Sequence, residues 1–507
     1  MTSAAKARYT ALVTVRQPFL DRARDASTLT IPSLVPPEGH NSAARLPEPN
    51  QGLGARLVVH LASYFTSALL PPGRQTIFRL GVSPEVLLKS GKQVVPPDVE
   101  SSLSLVERIP HTEIERRGWR APTNTALQHL LVAGNVMEHM LPDNTLVTYP
   151  LDRYVVVRDP AGKLIEFLIE DALDAAALEP KLQALVVAQD PVPGTKTICL
   201  YTWGKLVNGE WEVHQEIEDS EVPDSRGKYK PNVLPYFALR WSMVAGEDYG
   251  RGKAEEHIAD LRTFDGLSKA IRDGAAMASR NITMIRPNAS AGINLRRKIA
   301  SANNGDFIVG NPEDVSMLQF QNTPGLQVVQ AELAALKQEL GAAFMLTSSV
   351  IRNAERVTAD EVRRVSQELD SVQGGAYSLL SSDMMRPRVD RLIWQMKAKG
   401  QMPNWPEGVI EPTILTGLEA MGREADTSNV VNGLGMLKGY PPETYDYINW
   451  PVLLKKGFTS LDLADAVRSD PEVAQLRQER MNQQTIQNAT TAAAGPVAQA
   501  AASAATQ

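Results

Sequence analysis

Two apolar stripes at helical spacing, separated by a stretch full of helix breakers, constrain this chain more than any other feature. From Gly252 to Ile282, residues Ile258, Leu261, Leu267, Ile271, Ala275, Ala278 and Ile282 fall on one side of a helix. Asp260, Arg262, Lys269 and Arg272 fall elsewhere on it. The spacing predicts one continuous rod of roughly 45 Å. A second stripe, Val329, Leu333, Leu336 and Leu340, predicts a helix from Leu326 to about Phe344. Between them, residues 283–325 hold prolines, glycines and one short strand pattern, "DFIV". A helix pair bracketing a small mixed module implies two rods that hold the module away from a body.

The body is expected on the N-terminal side. Tyr9, Leu12, Val13 and Phe19 predict a helix over Lys6–Asp25, kinked at Pro18. Leu53, Leu57, Leu61, Phe65 and Leu69 predict a second helix from Leu53 to Leu70, stopped by "PPG". A third is expected from Ala121 to His139. Two hairpins follow. "YVVVRDPAGKLIEFLIE" reads as strand, turn and strand. In "TICLYTWGKLVNGEWEVHQEIE", Asn208-Gly209 is the dipeptide that favours a type I′ turn. Trp203 and Trp211 are expected to be cross-strand core partners. The pattern is α+β and mainly helical.

With 507 residues, the chain is longer than one hydrophobic core serves, so two to four domains are expected. Hydrophobic residues make up 43% and charged residues 22%, an ordinary globular balance. The single cysteine, Cys199, excludes an internal disulfide and a multi-cysteine zinc site. No signal peptide is evident at the start, and the most apolar window, Leu57 to Leu70, is too short to span a bilayer. A soluble protein of a reducing cytoplasm, with no membrane partner, is expected.

Enzymatic motifs fail one by one. There is no G-x-x-x-x-G-K-[ST], no H-E-x-x-H and no G-x-S-x-G. His129 and His139 are ten residues apart, not the four that would place two ligands on one helix face, and both read as structural. Acid pairs such as Glu255-Glu256 and Asp360-Glu361 sit in helix first turns, where they compensate the dipole. No catalytic residue, metal or cofactor is expected.

What remains is basic. "MLTSSVIRNAERVTADEVRRVSQELD" puts Arg352 and Arg356 on a polar loop between two helices, in a chain of net charge -6. Thr358 and Glu361 fit a capping box: the Thr hydroxyl accepts from the Glu361 amide, and the Glu361 carboxylate reaches back. Beyond it, Gly374-Gly375 reads as a kink, with a further helix around Pro387 ending near Lys397, Lys399 and Gly400. A second basic run holds Arg280, Arg286, Arg296, Arg297 and Lys298 and no acid. It is either a partner surface or a solvated turn. At the C-terminus, Leu461 to Gln484 reads as helix, while Asn482 to Gln507 has no charge and is rich in Ala, Gln and Thr.

Several strings resemble one family. "TIPSLVPPEG", "LVAGN", "YVVVRDPAGKL", "DYGRG", "GDFIVGNPEDVSMLQ", "AFMLTSSVIRNAERVTADEVRRVSQELD" and "EPTILTGLEAMGREAD" look like the portal proteins, or head–tail connectors, of short-tailed phages of the autographivirus type. The resemblance runs in order from the N-terminal helix to about Asp426.

The resemblance implies a dodecameric ring at one capsid vertex, located in the virion and assembled in the host cytoplasm. It divides the chain into a wing (1–250), a first stem helix (251–282) and a clip (283–325). A second stem helix (326–345), a channel loop (346–357), a long wing helix (358–410) and a crown with its tail (411–507) follow. Double-stranded DNA would pass through the ring during packaging and ejection. Arg352, Asn353 and Arg356 would belong to the channel loop, and Arg296, Arg297 and Lys298 to the clip. Expected partners are the other ring subunits, the terminase large subunit, the head–tail adaptor or tail tube protein, the major capsid and scaffolding proteins, and internal core proteins. For each loop arginine a second role stays open: pairing with Glu355 or with a neighbouring subunit's acid, which would merely order the loop. The competing class is a minor capsid or internal virion protein without a channel.

Overall fold

The computed structural model describes residues 4–41, 43–71, 77–89, 97–174, 197–217, 220–278, 282–285, 297, 301, 315–318, 323–346, 374–406, 408–414 and 472–485. The chain divides into a unit of Met1–Gly417 and a unit of Leu418–Gln507. In the second unit, residues 472–485 form a helix that is largely exposed, with Val473 and Leu476 half-buried.

In the first unit, α1 (Ala4–Leu29) runs through Pro18 and buries Ala5, Tyr9, Leu12, Arg16, Leu20 and Ala23. Their spacing of three and four residues makes one continuous buried face. Helix α2 (Leu53–Leu69) buries the predicted Leu53, Leu57, Leu61, Phe65 and Leu69. Strand β1 (Phe78–Val82), α3 (Pro84–Lys89), α4 (Pro97–Arg116) and α5 (Arg120–Ala133) follow.

The third helix is shorter than its sequence suggests. It ends at Ala133, because Gly134 turns left-handed with φ 71° and closes the last turn through its amide to Leu130 O. The next residues form strand β2 (Asn135–Met140), so His139 lies on a strand and not on a helix. In this three-stranded sheet β2 is central, between β3 (Leu146–Tyr149) and β10 (Tyr236–Arg240).

The larger sheet runs in the order β4 (Tyr154–Arg158), β5 (Leu164–Asp174), β6 (Thr197–Val207), β7 (Glu210–Ile217), β8 (Ser220–Glu221). Strand β9 (Gly227–Tyr229) also pairs with β7. Both expected hairpins form. At the β6–β7 turn, Asn208 and Gly209 have φ of 52° and 84°, as a type I′ turn requires. The two tryptophans are not partners, however. Trp203 pairs with His214 and Trp211 with Leu206. That register sends the tryptophans to opposite faces of the sheet, because side chains alternate along a strand. Trp211 packs with Phe167 in one cluster, and Trp203 lies beside Tyr9 and Leu168 in another. Helix α1 is fastened across this sheet. Arg8 pairs with Glu166 at 2.6 Å, and the buried Arg16 donates from Nη1 to Tyr154 O at 3.0 Å and Asp152 O at 2.7 Å.

The strings "LVAGN" and "DYGRG" form one crossing. Asn135 Nδ2 donates to Gly250 O at 2.8 Å, and Gly250 N donates back to Asn135 Oδ1 at 2.7 Å. A Cβ on Gly134 would stand 2.4 Å from the Arg251 carbonyl carbon, and one on Gly252 would stand 2.5 Å from Val132 O. Only glycine lets the two backbones pass this closely. In the same crossing, Tyr249 accepts from Val156 N at 3.0 Å and Asp248 Oδ1 from Arg158 N at 2.7 Å.

The predicted first rod is broken. A short turn of helix, α6 (Lys253–Glu256), stops at His257, and α7 (Ile258–Ala278) starts again beyond it. The His257 ring sits 5.6 Å from the Phe344 ring, a contact that periodicity does not reveal. Ile282 belongs to β11 (Ile282–Ile285), which pairs antiparallel with β12 (Val315–Leu318). The 21 residues of α7 give about 32 Å. Helix α8 (Thr323–Ala343) matches its predicted span closely. The string "DFIV" lies outside the described residues.

The C-terminal part of the unit returns to the centre. Helix α9 (Gly374–Leu379) passes through a π-helical turn, Leu380–Met385, into α10 (Arg386–Ala398), and Gly400 has φ 69° just past its end. Strand β13 (Ile410–Ile414) then pairs with β1. Val389, Leu392, Ile393 and Met396 of α10 enter the main core. A polar stripe on the same helix enters too. Arg388 is fully buried and forks onto the equally buried Glu138 of β2, with Nε at 2.9 Å from Oε2 and Nη2 at 2.5 Å from Oε1. Its Nη1 donates to Thr123 Oγ1 of α5 at 3.0 Å. Arg391 donates to Val233 O at 2.7 Å, Gln395 to Leu141 O at 3.3 Å, and Lys399 to Pro142 O.

Removing one member of this pair leaves an uncompensated charge in the core. Arg388→Met should cost about 3–5 kcal/mol in urea unfolding, whereas Arg388→Met with Glu138→Leu should recover most of that loss. Acid should act through two histidines. Burial holds His129 down to about 4, and burial with the Arg391 charge holds His139 down to about 4, against the usual 6.5. The folded chain therefore keeps both neutral where the unfolded chain takes up protons. Stability is full above about pH 6.5 and is lost progressively as pH falls to about 4. Unfolding midpoints across that window should fall with pH, and less steeply in His129→Phe.

Candidate functional site

The rods carry the chain away from the core and bring it back. At their near end, Leu261 and Phe264 of α7 and Leu336 and Leu340 of α8 join the main core. Toward the far end, Leu267, Ile271, Leu326, Val329 and Leu333 are only half-buried. There the two helices share a narrow seam, close enough that a Cβ on Gly274 would meet Leu326 Cδ2 at 2.9 Å. Met277 is 58% exposed and Val328 70% exposed. Stability along the rods therefore declines outward, since half-buried apolar area contributes in proportion.

The near end of α7 is held by Asp265. It accepts from Asn50 N at 2.6 Å through Oδ1 and from Asn50 Nδ2 at 2.9 Å through Oδ2. Arg22 pairs with Glu255 at 3.0 Å just before the rod begins. Arg262 and Asp25 are exposed and 3.6 Å apart, a pair worth little in water.

The return end of α8 is a built anchor. Met345 N donates to Ala342 O at 3.1 Å and Leu346 N to Gly341 O at 2.8 Å, the two bonds of a Schellman cap. Met345 occupies the left-handed position that glycine usually fills, with φ 59°. That conformation costs a side-chain-bearing residue about 1–2 kcal/mol. It is offset because Phe344 and Met345 are both buried in the main core, and His60 Nε2 of α2 lies 3.1 Å from Met345 O. The chain leaves this cap at Leu346, where the loop segment begins.

The site residues expected from the sequence fall unevenly. Arg352, Asn353, Arg356, Thr358 and Glu361 lie outside the described residues, as do Arg280, Arg286, Arg296 and Lys298. Arg297 is described: it is helical and exposed, and its carbonyl accepts from Ser301 Oγ at 2.8 Å. The residues that build the cap before Leu346 were not singled out by sequence reasoning. A left-handed methionine carries no pattern, and His60 reads as an ordinary member of an apolar helix.

Among the described residues no group of three or more His, Cys, Asp or Glu side chains could hold a metal, and no helix is long and apolar enough to cross a membrane.

Comparison with known proteins gives a consistent answer. Residues 2–461 match the family model described as bacteriophage head to tail connecting protein. The portal protein of Escherichia phage T7 is 35% identical over 98% of this chain and 95% of its own length. The portal protein of Enterobacteria phage T3 is 35% identical over 83% of this chain and 79% of its own length. Among solved structures, a chain from the neck of an empty GTA particle aligns over 75% of this chain and 86% of its own. Its identity is 14% and its TM-score 0.40, a likeness too loose to argue from.

The strained cap makes an unusual ranking testable. Met345→Ala and Met345→Gly both lose the buried side chain, at about 2–5 kcal/mol. Glycine alone also relieves the left-handed backbone, so Met345→Gly should unfold about 1 kcal/mol later than Met345→Ala in denaturant, the reverse of their order inside a helix.

Proposed function

We propose, from the premise that the chain belongs to the family of bacteriophage head-to-tail connecting proteins, that its copies close into a ring with double-stranded DNA running through the hole. Its function is that of a portal joining head and tail. The ring, the DNA path and the residues that meet DNA are the proposal.

The observation that carries it is the anchor at the end of α8. A loop that must stand at a constriction needs a fixed point of departure, and the chain leaves for 347–357 from a buried, doubly bonded cap. In a cyclic assembly each side chain recurs once per subunit around the axis. Arg352 and Arg356 would then become two rings of cations, about twelve to a ring. Twelve chains at -6 would sum to about -72, a repulsive background for a polyanion. Sparse cations inside an acidic wall guide a duplex without trapping it, because every neutralised phosphate adds affinity through counterion release. Asn353 adds a polar contact without charge. Thr358 and Glu361 would cap the helix behind the loop.

The rods would carry the clip module, where Arg296, Arg297 and Lys298 would face an acidic surface of the packaging terminase or of the tail adaptor. Capsid, scaffolding and internal core proteins would contact the remainder. No G-x-x-x-x-G-K-[ST] phosphate-cradling loop is present in the sequence, so the ATP that drives packaging would be hydrolysed by the terminase. The rival reading, a minor capsid or internal virion protein without a channel, predicts no axial hole.

Negative-stain images of purified protein should show annular particles with a central opening; particles closed at the axis would favour the rival. In heads assembled with Arg352→Glu and Arg356→Glu together, packaged or retained DNA should drop severalfold. Unchanged DNA content would remove the channel role of this loop.

A further inference from the structure

The helical run from α9 into α10 holds one residue more than an α-helix needs. Arg386 N donates to Ser381 O, five residues back, and Leu380–Met385 form a π-helical turn. The extra residue decides where Leu380 goes. In an uninterrupted α-helix, Leu380 would continue the line of Met384, Arg388, Arg391 and Gln395, the polar stripe. The wide turn instead sets it in line with Met385, which leads on to Val389, Leu392 and Met396, and all of these apolar side chains are buried in the main core.

Pro387 lies two residues past the turn. A proline has no amide to donate, and inside a helix its ring meets the carbonyl four residues back. That carbonyl belongs to Asp383, within the turn. Helix α10 cannot give way to the ring, because Arg388, the next residue, is forked onto Glu138, and Arg391 and Gln395 donate to Val233 O and Leu141 O. The slack therefore lies on the other side of the proline, where Ser382 and Asp383 are exposed. Ser382 Oγ stands 2.8 Å from Asp383 Oδ1 and 3.2 Å from Leu379 O, so the bulge is closed by its own polar atoms.

We propose that Pro387 is the positioning residue for α9: its ring forces the wide turn, the turn takes up Ser382 as its extra residue, and the two together fix the rotation at which α9 meets α10. Each compensates the other. Without the proline, the run closes into an α-helix, and α9 turns by about 100° and shifts by about 1.5 Å, the step of one residue. Without Ser382 but with the proline, the wide turn persists one residue short, and α9 turns by the same step in the opposite sense. Without both, an unbroken α-helix places Leu380 four residues before Met385, where it stands now. The consequence for DNA rests on the loop reading above, because α9 lies on the path by which the chain returns from that loop.

Thiol labelling reads the rotation with a sign. In the full chain with Cys199→Ser, a cysteine at the half-buried Leu379 (Leu379→Cys) reports on α9. Pro387→Ala moves it to the place of the exposed Ser378, so maleimide should label it severalfold faster. Deletion of Ser382 moves it to the buried place of Leu380, so labelling should slow severalfold. Pro387→Ala combined with the deletion should restore the starting rate. A rate unmoved by Pro387→Ala, or one not restored in the combination, would overturn the assignment. A single variant that fails to fold is decided by the combination: folded with the starting rate it supports the pairing, unfolded it overturns it. In assembled heads, DNA content should fall severalfold with Pro387→Ala and recover in the combination. Labelling that moves as stated while DNA content stays constant would uphold the role of Pro387 and contradict the loop reading beneath it.

Discussion

The fold turns on a guanidinium buried with a carboxylate. Arg388 and Glu138 are 250 residues apart in sequence, and neither side chain touches solvent. Desolvating both charges is costly, and their attraction offsets that cost only because the geometry is two-pronged and Thr123 takes a further donor. The pair joins three elements: α10, the central strand β2 and α5. It thereby fixes where the chain comes back after the rods and the loop. Arg391, Gln395 and Lys399 repeat the pattern along the same helix, each donating to a backbone carbonyl. A solely apolar face could slide along the sheet; a row of donors aimed at particular acceptors sets one register.

That fixed return matters because the loop leaves from one anchor and its chain comes back at another. Departure is at the Schellman cap of α8, held by Phe344, Met345 and His60. Return is by α9 and α10, held by Arg388. Both ends are set in the same core. The rods, by contrast, are buried at one end and half-exposed along the rest.

What was legible in the sequence follows from which forces are local. The hairpins were, because Asn208-Gly209 takes left-handed conformations cheaply and strand alternation is visible on both sides. So were α2 and α8, whose apolar residues recur at helical spacing. The third helix was overextended because "NVMEHM" is as compatible with helix as with strand; only pairing with β3 and β10, invisible locally, decides it. At the break, the His257 ring meets Phe344, which is remote in sequence, so no local pattern marks the contact. Trp203 and Trp211 looked like partners, but their register needed the turn position counted exactly, and one residue changes the face. Arg388 was hidden most completely: a charged residue in a helix reads as solvated until its partner is found. The family strings were legible as words before their physical sense was. "LVAGN" and "DYGRG" are two halves of one backbone crossing, which larger residues would block.

The proposed passage for DNA is lined by the segment after Leu346. A photoactivatable cross-linker attached at Asn353→Cys, in a chain whose Cys199 is replaced by Ser, tests it in filled heads. A control cross-linker at Val15, exposed on α1, accompanies it. The account predicts DNA adducts from position 353 and few or none from position 15. Equal labelling at both positions, or none from 353 in heads that contain DNA, would contradict it.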